Sequence, residues 1–216
     1  LPVWFDSQPD LNPTKLVFID GTAVSTKMGR LRGGHVVTRD VRRQLENDRC
    51  SRSVHLAVYD AENANNSVDF LKAVKTAFPF RITHILTDRG SCFTADAFEK
   101  ACQDMGIDRR RTKAYSPQTN GMVERFNGRV TTEVLPVCVS SHKDLEILLR
   151  GFCFAYNYRL QRVLGGVSPA KRISSWLEKH SASRNPDHIK PASRDIMKQV
   201  DEILDAEISQ KGCTSG

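Results

Sequence analysis

The sequence predicts an α/β protein, a mixed sheet flanked by helices with a helical extension at the C-terminal end. Three observations predict it. Short apolar runs suited to buried strands come first, at Leu16–Asp20, Val54–Tyr59 and Ile82–Asp88. Helical periodicities then alternate with a further strand candidate, an order that places helices on the faces of a sheet. The chain has 216 residues, 39% hydrophobic and 26% charged, enough for one sizeable core.

Residues 1–14 are rich in Pro and Asp and read as an entry arm. Leu16–Asp20 is the first strand. Residues 21–53 are rich in Gly and Arg, with His35-Val-Val37 the best strand inside them. Val54–Tyr59 follows as a strand, then a helix over Asn65–Phe78 with an apolar stripe of Val68, Leu71, Val74 and Phe78, stopped by Pro79. Ile82–Asp88 returns as a strand. Thr94 is placed to cap a helix whose apolar positions run from Ala97 to Met105 and which ends at Gly106. Ile107–Lys113 is a short basic strand candidate.

The next helix carries Glu124 one turn in, faces Met122, Val123, Phe126, Val130 and Val134 inward, and ends before Pro136. Ser141 with Asp144 resembles a capping box opening a longer helix, buried through Leu145, Leu148, Leu149, Phe152, Cys153 and Tyr156. Ser168-Pro169 opens a short helix containing Trp176. Ser181–Pro191 reads as a linker, and Ser193–Gln210 as an amphipathic helix expected to dock on the core. The chain therefore divides into an arm (1–14), a core (15–160) and a helical extension (161–216).

Net charge is +7 and the pI about 9.2, which favours a polyanionic partner, since Lys and Arg gain by displacing counterions from phosphates. The clustering is sharper than the total: Arg109, Arg110, Arg111 and Lys113 lead into the loop before Glu124, and Arg125 and Arg129 follow it. The apolar runs fall far short of the roughly 20 residues that span a bilayer, and nothing resembling a signal peptide opens the sequence. A cytosolic protein is expected. The six cysteines form no Cys-x-x-Cys pair, so neither a disulfide framework nor a zinc finger is expected.

Asp20 and Asp88 close apolar strands, and Glu124 sits near a helix start. Taken singly, the first two read as strand-end residues and the third as a helix-dipole partner. Together, three separated carboxylates could hold two divalent ions for phosphodiester chemistry, which needs hard oxygen ligands.

The surrounding sequence decides between these readings. Leu86-Thr-Asp-Arg-Gly-Ser-Cys-Phe93 with Ser116-Pro-Gln-Thr-Asn-Gly-Met-Val-Glu-Arg-Phe-Asn127 resembles the catalytic core of bacterial insertion-sequence transposases of the retroviral-integrase (DDE) superfamily. The likeness runs from about Lys15 to Glu178 and extends through Ala155-Tyr-Asn-Tyr-Arg159. It implies a ribonuclease-H-like fold and Asp20, Asp88 and Glu124 as catalytic and metal-holding residues. The expected cofactors are two Mg²⁺ or Mn²⁺ ions, and the expected reaction is DNA cleavage followed by 3′-hydroxyl strand transfer.

The resemblance also implies a homodimer or larger assembly on element ends and target DNA, nucleoid association in a bacterium, and a separate N-terminal DNA-binding module. DNA contacts are expected from Ser116, Gln118 and Asn120 in the loop, from Arg125, Asn127 and Arg129 on the helix, and from the basic strand. Two positions depart from the family pattern: Arg89 stands where relatives usually have Asn, and Cys92 where they often have an acid. Alternatives are a nuclease that only hydrolyses nucleic acid and a catalytically silent DNA-binding module.

Overall fold

The computed structural model describes residues 16–24, 41–48, 51–59, 63–87, 90–111, 125–126, 128–134, 136–137, 139, 141–190 and 193–212. Five strands form its centre: β1 (Leu16–Val24), β2 (Val41–Asp48), β3 (Val54–Tyr59), β4 (His84–Thr87) and β5 (Asp108–Arg111). They lie in the order β3-β2-β1-β4-β5. The first three pair antiparallel, while β4 and β5 join the β1 side in parallel. Parallel neighbours need crossovers, and these are helical.

The alternation of strand side chains builds a core on each face. Ile85 belongs to one cluster, with Phe70, Leu71 and Val74 of helix α1 (Ala64–Ala77) and with the helices α2 (Ser91–Thr94) and α3 (Asp96–Asp104). Its neighbour Leu86 belongs to the other, with Val54 and Leu56 of β3 and with helix α5 (His142–Tyr158). Helix α4, described at 125–126 and 128–133, adds Phe126 and Val130 to this second core. Helices α6 (Pro169–Lys179) and α7 (Ser193–Gly212) complete the two cores, α6 through Ile173 and Leu177, α7 through Val200, Ile203 and Leu204.

The caps follow local chemistry. Asn63, Ser141 and Ser168 each accept a backbone N–H with the side chain, opening α1, α5 and α6 respectively. Thr94 is a correction: its hydroxyl donates to the Ser91 carbonyl inside α2, and α3 starts after Ala95 without a side-chain cap. The expected strand at His35–Val37 lies outside the described residues, and β2 instead occupies Val41–Asp48. β1 also runs past Asp20 to Val24, because Gly21–Val24 pair with β2.

The segment read as a linker is bound to α1. Asn185 donates its side-chain amide to the carbonyls of Lys75 (2.6 Å) and Phe78 (2.8 Å), and the Ile189 amide donates to Thr76 (2.9 Å). A helix leaves its last carbonyls without intrahelical donors, and this strap supplies them.

His55 on β3 carries a pH dependence. Its ring packs against Phe70 with centroids 5.8 Å apart, and burial first, then Arg150, pushes its pKa from 6.5 to about 4. The unfolded chain binds this proton below about pH 6.5, and the folded chain only near 4. Stability from His55 is therefore full above pH 6.5 and is lost as pH falls from 6.5 towards 4. Part of the residue reaches solvent, so about 2 kcal/mol is expected rather than the full 1.36 kcal/mol per unit. Urea denaturation at pH 7 and pH 4.5 should show this difference shrinking in His55→Gln; an unchanged difference would exclude His55 as its source.

Candidate active site

The first candidate acid is placed by strand register. β1 and β4 run parallel, with Phe18 opposite Leu86 and Ile19 opposite Thr87. Among the described residues the pairs with β4 run to Ile19–Thr87; Asp20 follows Ile19 in β1, and Asp88 follows Thr87 in sequence. On its other side Asp20 is opposite Leu45, which is opposite Leu56, a member of the core beneath α4 and α5. Leu86, on that same face of β4, shares this core with Phe126 and Val130 of α4. The neighbours of all three candidate acids in sequence thus meet around one sheet face.

Asp88 and Glu124 lie outside the described residues, as do Lys113, Ser116, Gln118, Asn120 and Asn127 and the side chain of Arg111. Among the described residues no group of three or more His, Cys, Asp or Glu is placed to hold a metal.

Around this centre α4 is fixed by aromatic packing. The Phe126 ring meets Tyr156 edge-on with centroids 4.9 Å apart, and Phe152 at 5.7 Å. The edge-to-face contact with Tyr156 is favourable beyond the area it buries. Tyr156 is therefore a packing residue. Arg125 and Arg129 lie on the opposite, exposed side of α4 and line a cavity of about 500 Å³.

The basic strand divides by side-chain alternation. Arg109 turns inward, its side chain only 3% exposed; its guanidinium binds Glu99 (Nε to Oε2 2.7 Å) and donates to the Phe93 carbonyl (2.6 Å). The sequence predicts a DNA contact from Arg109; in the structure its donors hold α2 and α3 to β5. Arg110 faces outward and pairs with Asp108 at 2.9 Å. Arg109→Ala should destabilise the fold by about 2–3 kcal/mol, because a charge-assisted pair and a carbonyl partner are lost together. Thermal unfolding should drop by roughly 5–10 °C. A purely DNA-contacting Arg109 would leave the melting temperature alone and lower only affinity.

Asn157, of the Tyr-Asn-Tyr-Arg stretch, acts on structure. Its amide oxygen accepts from the Val54 N–H (2.9 Å) and the Ser53 hydroxyl (3.2 Å), and its amide nitrogen donates to the Val54 carbonyl (2.8 Å). It serves β3 as an extra strand partner and fixes the end of α5. Cys92, where relatives often carry an acid, is buried in the α1-side core. Cys102 and Cys153 are also buried and free, and burial raises their thiols to about 11 and about 12, which keeps them unreactive.

Solved structures share this architecture. A chain of the simian T-cell lymphotropic virus intasome, solved in complex with PP2A regulatory subunit B56 gamma, aligns with TM-score 0.61 and 20% identity, over 76% of this chain. This protein spans 55% of that chain's length. The catalytic core domain of BIV integrase aligns with TM-score 0.56 and 21% identity, over 77% of this chain and 99% of its own. The fold is that of an integrase catalytic core. In addition, residues 46–117 match the integrase core domain family, a stretch that includes Asp88 but neither Asp20 nor Glu124. No described helix is long and apolar enough to cross a membrane.

Proposed function

We propose that this chain is the catalytic core of a DNA transposase of the bacterial insertion-sequence type, which cleaves element ends and joins their 3′-hydroxyls to target DNA. The observation that carries this reading is the register around Asp20. In the row Asp20–Leu45–Leu56, paired residues share a sheet face, and Leu56 belongs to the core that α4 covers. Asp88, one residue beyond the Ile19–Thr87 pair, would fall beside Asp20 on that face. Glu124, one residue before Arg125, would reach the same place from α4.

Three carboxylates there would make an oxygen-only donor set, which fits Mg²⁺ or Mn²⁺ and disfavours softer metals. A pair of such ions, when bound, neutralises charge on the scissile phosphate and activates the attacking oxygen. The backbone of Asp20 is held by pairing with β2 in the sheet centre. Phe126, two residues after Glu124 in sequence, is locked by its contact with Tyr156, which would help keep the third acid in place during turnover. Joining two ends at one target requires two active sites, so the working form is a homodimer or larger assembly on DNA.

The test incubates pre-cleaved DNA ends and target DNA with Mg²⁺ or Mn²⁺, using wild type and Glu124→Gln. Joined products that require Glu124 support the proposal. Cleavage without joining would reassign the chain as a hydrolytic nuclease, and binding without either reaction as a silent DNA-binding module.

A further inference from the structure

We infer that the cavity beside α4 binds a single nucleotide of DNA held out of the double helix. Its phosphate would lie among the arginines and its base against Leu160 and Val163. The inference rests on the transposase reading above, and it names a piece of substrate that the reading does not.

The cavity, about 500 Å³, is of a size that holds a small organic ligand. Arg52, Arg125, Arg129, Arg159 and Arg162 line it, and no acid does so among the described residues. None of the five is ion-paired with a described residue. Crowding like charges raises the energy of the empty site and favours an anion that enters it. Phosphate alone would account for the arginines.

It would not account for the apolar wall. Leu160 and Val163 line the same cavity and are 71% and 66% exposed. A duplex presents phosphates outside and keeps its base faces stacked, so it has nothing flat and apolar to lay on these residues. An unpaired nucleotide offers both surfaces, and the face of a free base can cover Leu160 and Val163 by apolar contact. Gln161, also in the wall, has a buried amide nitrogen with no hydrogen-bond partner among the described residues. That donor suits a base carbonyl or a phosphate oxygen.

The site is also built in advance. Arg52 has φ of 59°, a left-handed conformation that a bulky residue adopts only at a cost of about 1 kcal/mol. The Asn157 clamp on Ser53 and Val54 holds the segment that follows it. Across the cavity, residues 161–167 close on themselves through the Gln161–Val167 bridge, with Gly165 and Gly166 at φ 73° and 80°.

Fluorescence anisotropy in Ca²⁺, which avoids turnover, should compare four probes: a blunt duplex, the same duplex with a short 5′ or 3′ overhang, and one with an internal unpaired base. At least one unpaired probe should bind roughly 10-fold tighter than the blunt duplex. An overhang preference assigns the nucleotide to an element end, and an internal-base preference assigns it to target DNA. Arg159→Ala with Arg162→Ala should abolish the preference and reduce the salt slope by roughly 1–2. Leu160→Ser with Val163→Ser should abolish the preference and leave the slope intact.

All four residues are exposed, and circular dichroism checks that the variants fold. Equal binding of all probes, or a preference that survives both double variants, overturns the inference. If joining fails in the transposition assay while the preference and its loss remain, the transposase reading falls and the nucleotide pocket stands.

Discussion

Asp20→Asn should reduce strand joining by roughly 10³-fold, the scale at which single charge-stabilising groups act in active sites. Asn has nearly the same shape and keeps an acceptor oxygen, so a strand-positioning role for Asp20 would survive the change. A metal-holding role would not, because the amide has no charge and is a poor ligand for a hard cation. Stability separates the two further. Three carboxylates gathered as proposed would, without their cations, repel one another by about 1 kcal/mol per close pair at water-like screening. Neutralising one of them should leave the melting temperature of the metal-free protein unchanged or higher. A stability–activity exchange of this direction is expected of an active-site acid and not of a strand-end residue. If Asp20→Asn joins ends normally, or loses joining only because it unfolds, the proposed site is wrong.

The parts of this site that the sequence made legible are those where side chains decide structure. Val54–Tyr59 is apolar and β-branched, and β3 has those bounds. Ser141 announces α5, and its hydroxyl caps it. Phe126, Val130 and Val134 repeat at helical spacing, and all three are buried. What escaped was decided by partners. β2 reads Val-Arg-Arg-Gln-Leu-Glu-Asn-Asp, with no alternation of apolar and polar residues. It is a strand because β1 and β3 pair with it on both sides, and such context outweighs intrinsic preference. The strap after Ser181 escaped similarly, since Asn185 shows its role only against the end of α1. Arg109 escaped because four neighbouring cations look alike in sequence, while strand alternation turns one of them to Glu99. The signal was there: on a short strand Arg109 stands between Asp108 and Arg110, so alternation turns it to the opposite face from both.

Gly151→Leu should destabilise the protein by about 3 kcal/mol, the upper end of what overpacking costs. Gly151 lies in the middle of α5, where glycine is about 1 kcal/mol worse than alanine, so helix propensity alone predicts a gain from any replacement. Packing predicts the reverse. A Cβ at this position would run into Val200 Cγ2, with the Val200 Cβ at 3.6 Å and Cγ1 at 3.8 Å behind it. Val200 is β-branched within α7, so its χ1 is restricted and the methyl has little freedom to turn away. The glycine is thus the notch that lets α7 lie close on α5, where Ile203 and Leu204 join the same core. The combination Gly151→Ala with Val200→Ala should return stability to near the original value, because the notch and its occupant are resized together. Chemical denaturation at two protein concentrations reads the result. A midpoint that depends on concentration in the original protein and not in Gly151→Leu would mean that α7 packs on a second subunit, whereas docking within one chain gives concentration-independent midpoints that differ between the two proteins.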